Sequence, residues 1–133
     1  MSASLHALRV AAIDELTEDA VAITFDVPAD LAAAYAFAAG QHLSIQGGDD
    51  VRRSYSICTT PASGRLRIGV KRLPGGVFSD GVVGRLRVGD ALEVMTPAGR
   101  FTPDLDPAAL KSYVAIAAGS GITPVLSIVA AIL

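Results

Sequence analysis

Alternating apolar and polar side chains mark short strands in the first part of the chain. Apolar residues recur at every second position over 21–27 and again over 66–71, with polar or small residues between them. This period of two is typical of strands that bury one face. Four further segments have strand character: 8–12, 43–45, 53–58 and 92–95.

Glycine, proline and aspartate separate these segments. They stand at Gly40, 47–50, 61–64, 74–76, 89–90 and 97–99. Many short strands with turn residues between them predict a mainly β fold, either an antiparallel barrel or a sandwich. Residues 30–35 and 78–86 interrupt the pattern, and both segments have helical character.

The pattern changes near the C-terminus. Two prolines and two aspartates within 101–107 are typical of a linker, and 113–118 is continuously apolar. Such a run predicts a strand that is covered on both faces, as in a parallel sheet. Pro124 stands where the first turn of a helix over 125–133 tolerates it. The expected units are an all-β domain over 1–108 and the first strand and helix of an α/β domain over 109–133.

Composition and charge narrow the function classes. Hydrophobic residues make up 51% of the chain and charged residues 18%, so it can bury a core. A net charge of -2 without a stripe of Lys and Arg argues against a nucleic-acid partner. One cysteine, Cys58, excludes an internal disulfide, a multi-cysteine zinc site and a self-contained iron–sulfur cluster. No segment is typical of a signal peptide, a transit peptide or a membrane span, so we expect a cytoplasmic protein without membrane contact.

The first chemical candidate is the strand 52–57, which carries a cation, an aromatic ring and hydroxyl groups. Strand geometry puts Arg53 and Tyr55 on one face and Ser54 and Ser56 on the other. An edge strand with a solvated arginine and a half-buried tyrosine accounts for this stretch equally well.

The second candidate runs from Gly69 to Ser79. A strand that ends in two basic residues leads into a glycine turn, and a short helix with Ser79 in its first turn follows. Amide groups at a helix start, glycine for close approach and a nearby cation can bind an anion. Taken alone, a hairpin loop with a serine cap is the favoured alternative.

The third candidate is Gly119-Ser120-Gly121-Ile122-Thr123-Pro124, which follows the predicted buried strand. A Gly-x-Gly sequence is weak evidence by itself. Its place at the carboxyl end of a predicted parallel strand strengthens it, because open α/β sheets bind ligands there.

In this order, the three segments resemble the ferredoxin–NADP reductase superfamily. That family has a flavin lobe built as a six-stranded antiparallel Greek-key barrel, followed by an α/β lobe for NAD(P). Its flavin motif resembles Arg53-x-Tyr55-Ser56, its pyrophosphate loop resembles 75–79, and the start of its second lobe resembles 119–124. The stretches RRSYSIC and VKRLPGGVFS further resemble the reductase subunits of bacterial phenylacetyl-CoA epoxidases.

The resemblance implies a role for each matching residue. Arg53 would pair with the flavin pyrophosphate, Tyr55 would lie against the isoalloxazine ring, and Ser56 would bond near its N5 atom, so Tyr55 and Ser56 are the candidate catalytic residues. Thr123 would reach the ring from the second lobe. The remaining candidate cofactor-binding residues are Ile57, Val70, Lys71, Gly75, Gly76, Val77, Phe78 and Ser79.

The resemblance also implies an activity. Hydride would pass from NADPH to FAD, and electrons would continue to a [2Fe–2S] centre in a further domain and then to oxygenase subunits. About 100 further residues would complete the NAD(P) lobe, so this chain corresponds to a front part of such a reductase. We therefore expect flavin binding without efficient NADPH turnover.

Three alternatives stay open. The chain could belong to a reductase that serves another oxygenase or a haem protein. It could be a flavin-carrying module without turnover, or it could form homodimers through its C-terminal strand and helix. The residues themselves leave FAD against FMN and NADPH against NADH undecided, and the resemblance favours FAD.

Overall fold

The computed structural model describes residues 4–47, 52–76, 81, 83–103, 108, 111–112, 114–117 and 122–133. This part of the chain forms six antiparallel strands and one α-helix. The strands are β1 (Leu5–Thr17), β2 (Ala20–Asp26), β3 (His42–Gln46), β4 (Arg52–Ser56), β5 (Leu66–Lys71) and β6 (Ala91–Met95), and the helix is α1 (Ile122–Ile132). Short 3₁₀ helices lie at Ala29–Leu31, Pro61–Ser63 and Val83–Arg85.

The two strands predicted from the alternation and the four further strand candidates are all confirmed, and β1 is much longer than its pattern indicates. The pattern marks 8–12, whereas β1 spans Leu5–Thr17. Its first residues pair with β6 and its second half pairs with β2. The second half of β1 is largely exposed, so its sequence does not alternate between apolar and polar residues. This half is a strand because it forms hydrogen bonds with β2.

The sheet closes on itself. Its strand order is β4-β3-β6-β1-β2-β5, and the two end strands are joined by a bridge between Ile57 and Ile68. The Cys58 amide adds a hydrogen bond to the Arg67 carbonyl at 2.9 Å. Around the closed sheet, β3, β4 and β5 are consecutive and β6 returns beside β3, which is a Greek-key arrangement. The predicted antiparallel Greek-key barrel is therefore confirmed.

The inward side chains of the strands form one apolar core. Tyr35, from the connection between β2 and β3, caps this core with only 3% of its surface exposed. Its hydroxyl donates to the Val94 carbonyl at 2.6 Å, so its polar atom is satisfied inside the barrel. The largest fully buried apolar side chains are Leu8, Ile23, Leu43, Ile45, Ile57, Ile68, Val10, Val70 and Val94.

The two predicted helical interruptions are shorter than expected. Over 30–35 the chain forms the 3₁₀ helix Ala29–Leu31 and then turns, because so few residues cannot repay the cost of helix nucleation. Within 78–86, residues 78–80 and 82 lie outside the described residues. The rest contains the 3₁₀ helix Val83–Arg85.

The C-terminal segment confirms the helix but not the strand. Residues 114–117 form no strand, and Val114 and Ile116 are 88% and 89% exposed. A parallel strand needs hydrogen-bonded neighbours, and none of the six described strands pairs with these residues. The helix begins at Ile122 and has Pro124 in its first turn. Among the described helices, none has the length and apolar character needed to cross a bilayer.

Candidate functional site

The candidate site lies between β4 and β5, on one side of the bridge that closes the barrel. Continuing the antiparallel register from the Ile57–Ile68 bridge would put Ser56 opposite Gly69 and Tyr55 opposite Val70. The described residues form no strand pairs there, because β5 pairs only with β2 beyond the bridge. The described backbone edges of β4 and β5 on this side of the bridge are therefore not paired with each other, and we call this junction the cleft between β4 and β5.

The β4 side of the cleft changes from charged to apolar along the strand. Arg53 is exposed, Tyr55 is half-buried against the core, and Ile57 is fully buried. The guanidinium of Arg53 donates from Nη1 to the carbonyl of neighbouring Arg52 at 3.0 Å. Neither of the two ion pairs in the described part of the chain involves Arg53. Most of its donors are therefore available to an anion.

The register of β4 confirms that Arg53 and Tyr55 share a face. Tyr55 is paired with Leu43 and Arg53 with Ile45, and directly paired residues lie on the same face of a sheet. Burial raises the pKa of the Tyr55 hydroxyl, while the positive charge of Arg53 partly lowers it again. The hydroxyl therefore stays protonated at neutral pH and can donate a hydrogen bond.

Ser56 lies at the inner end of the motif, and the structure puts a histidine beside it. His42 is directly opposite Ser56 on β3 and is bridged on its other side to Ala98. Its imidazole packs over Gly99, where an added Cβ would lie 2.9 Å from Nδ1. Sequence reasoning left His42 out of the site, because a histidine in a loop or strand is usually only a polar contact, and the pairing that brings it to Ser56 depends on the β3–β4 register.

The predicted residues of β5 contribute in different ways. The Val70 side chain is 1% exposed and belongs to the core. The Lys71 side chain is exposed, with its Nζ 4.0 Å from an oxygen of Asp19 near the β1–β2 turn. The side chains of both residues are thus engaged elsewhere, and their backbone is the part available to line the cleft.

The glycine turn after β5 is formed as predicted. Gly75 has φ +75°, a conformation that glycine adopts without strain, and the Gly76 amide donates to the Leu73 carbonyl at 2.8 Å. The Gly76 carbonyl accepts from the Gly81 amide at 3.0 Å. Val77, Phe78 and Ser79 lie outside the described residues, so the role assigned to them stays a prediction.

Helix α1 lies at the bridge end of the cleft. The Thr123 hydroxyl oxygen is 4.0 Å from the place that a Cβ on Gly69 would occupy. The structure therefore brings Thr123 beside the strand that carries Val70 and Lys71. Gly69 begins the second candidate segment but was given no role in cofactor binding, although a glycine inside a strand pattern is a signal of close backbone approach.

Comparison with known proteins agrees with this geometry. A family model for oxidoreductase FAD-binding domains matches residues 7–102. A 1,2-phenylacetyl-CoA epoxidase subunit from Escherichia coli is 45% identical over 130 residues, which are 96% of this chain and 36% of the relative. The ferredoxin reductase component of 3-ketosteroid-9-alpha-monooxygenase from Rhodococcus rhodochrous is 38% identical, over 91% of this chain and 35% of that protein.

A solved structure shows the same fold. Phthalate dioxygenase reductase superposes with a TM-score of 0.77 at 31% identity, over 94% of this chain and 38% of that one. This chain thus spans about a third of the length of the proteins it resembles. The matched family model covers most of the barrel, including the cleft between β4 and β5. The chain therefore belongs to the family of oxidoreductase FAD-binding domains and has a ferredoxin reductase-like fold.

Proposed function

We propose that this chain is the FAD-binding lobe of an NAD(P)H-dependent reductase and that FAD binds in the cleft between β4 and β5. The observation that carries this proposal is the exposed Arg53 guanidinium, without a described carboxylate partner, on the same strand face as the half-buried Tyr55. A cation followed by an aromatic ring matches a ligand that has a charged pyrophosphate and a flat ring system.

The residues present fit this cofactor. Arg53 would hold the pyrophosphate, because a guanidinium forms paired hydrogen bonds with phosphate oxygens. The Tyr55 ring would cover one face of the flavin, and its protonated hydroxyl would donate at the rim. Gly69 lacks a side chain beside the cleft, and a Cβ added at Gly75 would meet no atom within 4 Å, so a phosphate can approach this turn closely.

FAD, when bound, supplies the exchange between two-electron and one-electron transfer on which such reductases depend. The protein's part is to bind and orient it. Ser56 lies beyond Tyr55 on the strand and would offer a hydroxyl to the reacting end of the ring. The backbone of Val70 and Lys71 would line the β5 side of the cleft. Residues 77–79, which lie outside the described residues, would also contribute to this side. Thr123 would close the end of the cleft.

The acceptor proposed for the whole protein is an oxygenase, reached through a [2Fe–2S] centre. The 45% identity to the phenylacetyl-CoA epoxidase component favours that system, while the 38% identity to a ketosteroid monooxygenase component favours another oxygenase. We assign the NADPH site and the iron–sulfur centre to further parts of the whole protein, because this chain spans only 36% and 35% of those two relatives. A flavin module without turnover is therefore the second candidate for the chain itself.

We further propose that the two units are 1–108 and 109–133, in a cytoplasmic protein, and that the second unit associates with another protein surface. An apolar groove of about 450 Å³ runs between α1 and the segments 100–103 and 114–116. A homodimer is the simplest form of this association. Sedimentation over a hundredfold concentration range would detect it, and a constant monomer mass would contradict it.

Titration of the purified chain with FAD tests the main proposal. Arg53→Ala should weaken binding by about 1.5–3 kcal/mol, the loss expected for a charged hydrogen bond. Arg65→Ala is the matched control, because Arg65 is also exposed but lies in the loop before β5. Absence of FAD uptake by the wild type would overturn the proposal, and equal losses in the two variants would show that the cleft is misassigned.

Reduction of the FAD-loaded chain separates the two candidate functions. Bleaching of the flavin absorption by dithionite but not by NADPH would identify a flavin module without turnover. Bleaching by NADPH at a rate useful for catalysis would instead show that this chain holds enough of the nicotinamide site to act alone.

A further inference from the structure

Ser127 is the one residue of helix α1 that is fully buried, with 0% of its surface exposed. The helix is otherwise almost entirely apolar, and a buried hydroxyl is costly unless it forms a hydrogen bond. The Ser127 hydroxyl donates a hydrogen bond to the Thr59 carbonyl at 2.7 Å. This bond connects the helix to the segment that directly follows the Arg53-x-Tyr55-Ser56 strand.

The acceptor of this bond is held firmly by the barrel. The Cys58 amide donates to the Arg67 carbonyl at 2.9 Å, and the Thr59 hydroxyl donates to the Arg65 carbonyl at 2.5 Å. Both bonds lie next to the bridge that closes the barrel. Because the Thr59 segment is fixed to the start of β5, a bond to its carbonyl restrains the helix.

The same face of α1 reaches the cleft. Thr123 precedes Ser127 by four residues, and residues at this spacing lie on one face of a helix. Thr123 lies beside Gly69 on β5. One residue after Ser127, the Ile128 side chain approaches Gly40, where an added Cβ would be 3.1 Å from Cδ1. The helix thus approaches the barrel at three points: Thr123 lies near Gly69, Ser127 bonds to Thr59, and Ile128 lies near Gly40.

We propose that the hydrogen bond from Ser127 to Thr59 fixes α1 on the barrel and thereby holds Thr123 at the end of the FAD cleft. Ser127 is in this view a positioning residue that acts through Thr123. The inference rests on the proposed function, because it assigns a residue that orients the helix against the bound flavin.

Three variants of the full chain test the proposal. Ser127→Ala removes the hydroxyl and leaves the Thr59 carbonyl without its donor. Alanine is the better helix former, so any loosening of α1 cannot come from intrinsic propensity. Ala130→Ser is the matched control, since it introduces a serine on an exposed position of the same helix. Thr123→Val removes the hydroxyl beside the cleft and leaves Ser127 in place.

Amide hydrogen exchange of α1 and the visible spectrum of bound FAD are the two readouts. In Ser127→Ala we expect exchange in α1 to be about tenfold faster, FAD to bind several-fold more weakly, and the flavin band to lose vibrational structure through greater solvent contact. Thr123→Val should alter the flavin band in the same direction with unchanged exchange. Ala130→Ser should match the wild type in both readouts.

Each other result overturns the proposal in an identifiable way. Unchanged α1 exchange in Ser127→Ala would show that the bond does not hold the helix. Faster exchange with an unchanged flavin spectrum would show that the helix does not orient the flavin. A spectral change in Ser127→Ala that Thr123→Val does not reproduce would exclude action through Thr123. Failure of the wild type to bind FAD would instead overturn the proposed function together with this inference.

Discussion

Substitution of Gly40 should damage the fold far more than its place in a loop indicates. Gly40 has φ +100°, and an added Cβ would lie 1.7 Å from the Phe101 carbonyl oxygen and 3.1 Å from Ile128 Cδ1. The backbone of Phe101 cannot stay in place with alanine at this position, and the Ile128 side chain on α1 would have to give by a few tenths of an ångström. We therefore expect Gly40→Ala to displace the segment that joins the barrel to the helix.

The expected loss has two parts. A positive φ costs a residue with a side chain about 1–2 kcal/mol. Forcing atoms into occupied space costs about 1–3 kcal/mol more, because neighbouring groups must move. Gly64 provides the matched control, since it has φ +67° but no atom within 4 Å of an added Cβ. Gly64→Ala should therefore lose the first part alone.

Urea unfolding followed by far-ultraviolet circular dichroism measures both losses, and this optical probe suits a chain without tryptophan. The free energy of unfolding should fall by about 2–5 kcal/mol in Gly40→Ala and by about 1–2 kcal/mol in Gly64→Ala. FAD should also bind more weakly to Gly40→Ala, since Ile128 lies on the helix that reaches the cleft. Equal losses of stability in the two variants would refute the close approach at Gly40.

Buried polar groups lead to two further predictions. Tyr35→Phe removes the buried bond to the Val94 carbonyl and should lower the free energy of unfolding by about 1–3 kcal/mol in the same urea assay; an unchanged midpoint would contradict this. Burial raises the pKa of Tyr35, Tyr55 and Cys58 above their ordinary values of 10.0, 10.0 and 9.0. The unfolded chain therefore loses these protons first, so the stability that these groups contribute should be constant below pH 9 and fall as the pH rises through about 9 and 10. Urea midpoints measured from about pH 7 to 11 check this. An increase of the urea midpoint as the pH is raised above about 9 would show that folding lowers these pKa values instead of raising them.

Sequence reasoning succeeded where the chemistry is local. Alternation identified β2 and β5 because each buries one face against the core, the other four strands were marked as further candidates, and glycine and proline marked the turns between them. The order of Arg53-x-Tyr55-Ser56, 75–79 and 119–124 was enough to show a resemblance to a flavin-binding family, which the matched family model confirms. Each of these signals lies within a few residues of sequence and is present before any long-range contact forms.

Sequence reasoning failed where a residue's environment depends on distant segments. The strand predicted from the pattern was shorter than β1, because the exposed half of β1 is a strand only through its pairing with β2. It also predicted a strand over 113–118, although residues 114–117 have no neighbouring strand to bond with among the described residues. Apolar side chains alone do not make a strand, because the hydrogen bonds that stabilise it come from its neighbours.

Local patterns in the chain were sufficient to predict a mainly β fold, either a barrel or a sandwich, with a cation, a tyrosine and a serine on one strand and a helix near the C-terminus, and the family resemblance favoured the barrel. Long-range contacts were needed to show that β4 and β5 form no strand pairs beyond the Ile57–Ile68 bridge, and that the Ser127 hydroxyl bonds to the Thr59 carbonyl. Both features depend on pairing and packing between residues that are far apart in the chain. The sequence pattern indicates which side chains favour burial. The pairing of distant strands determines which backbone edges stay unpaired, and it also determines where the helix can pack.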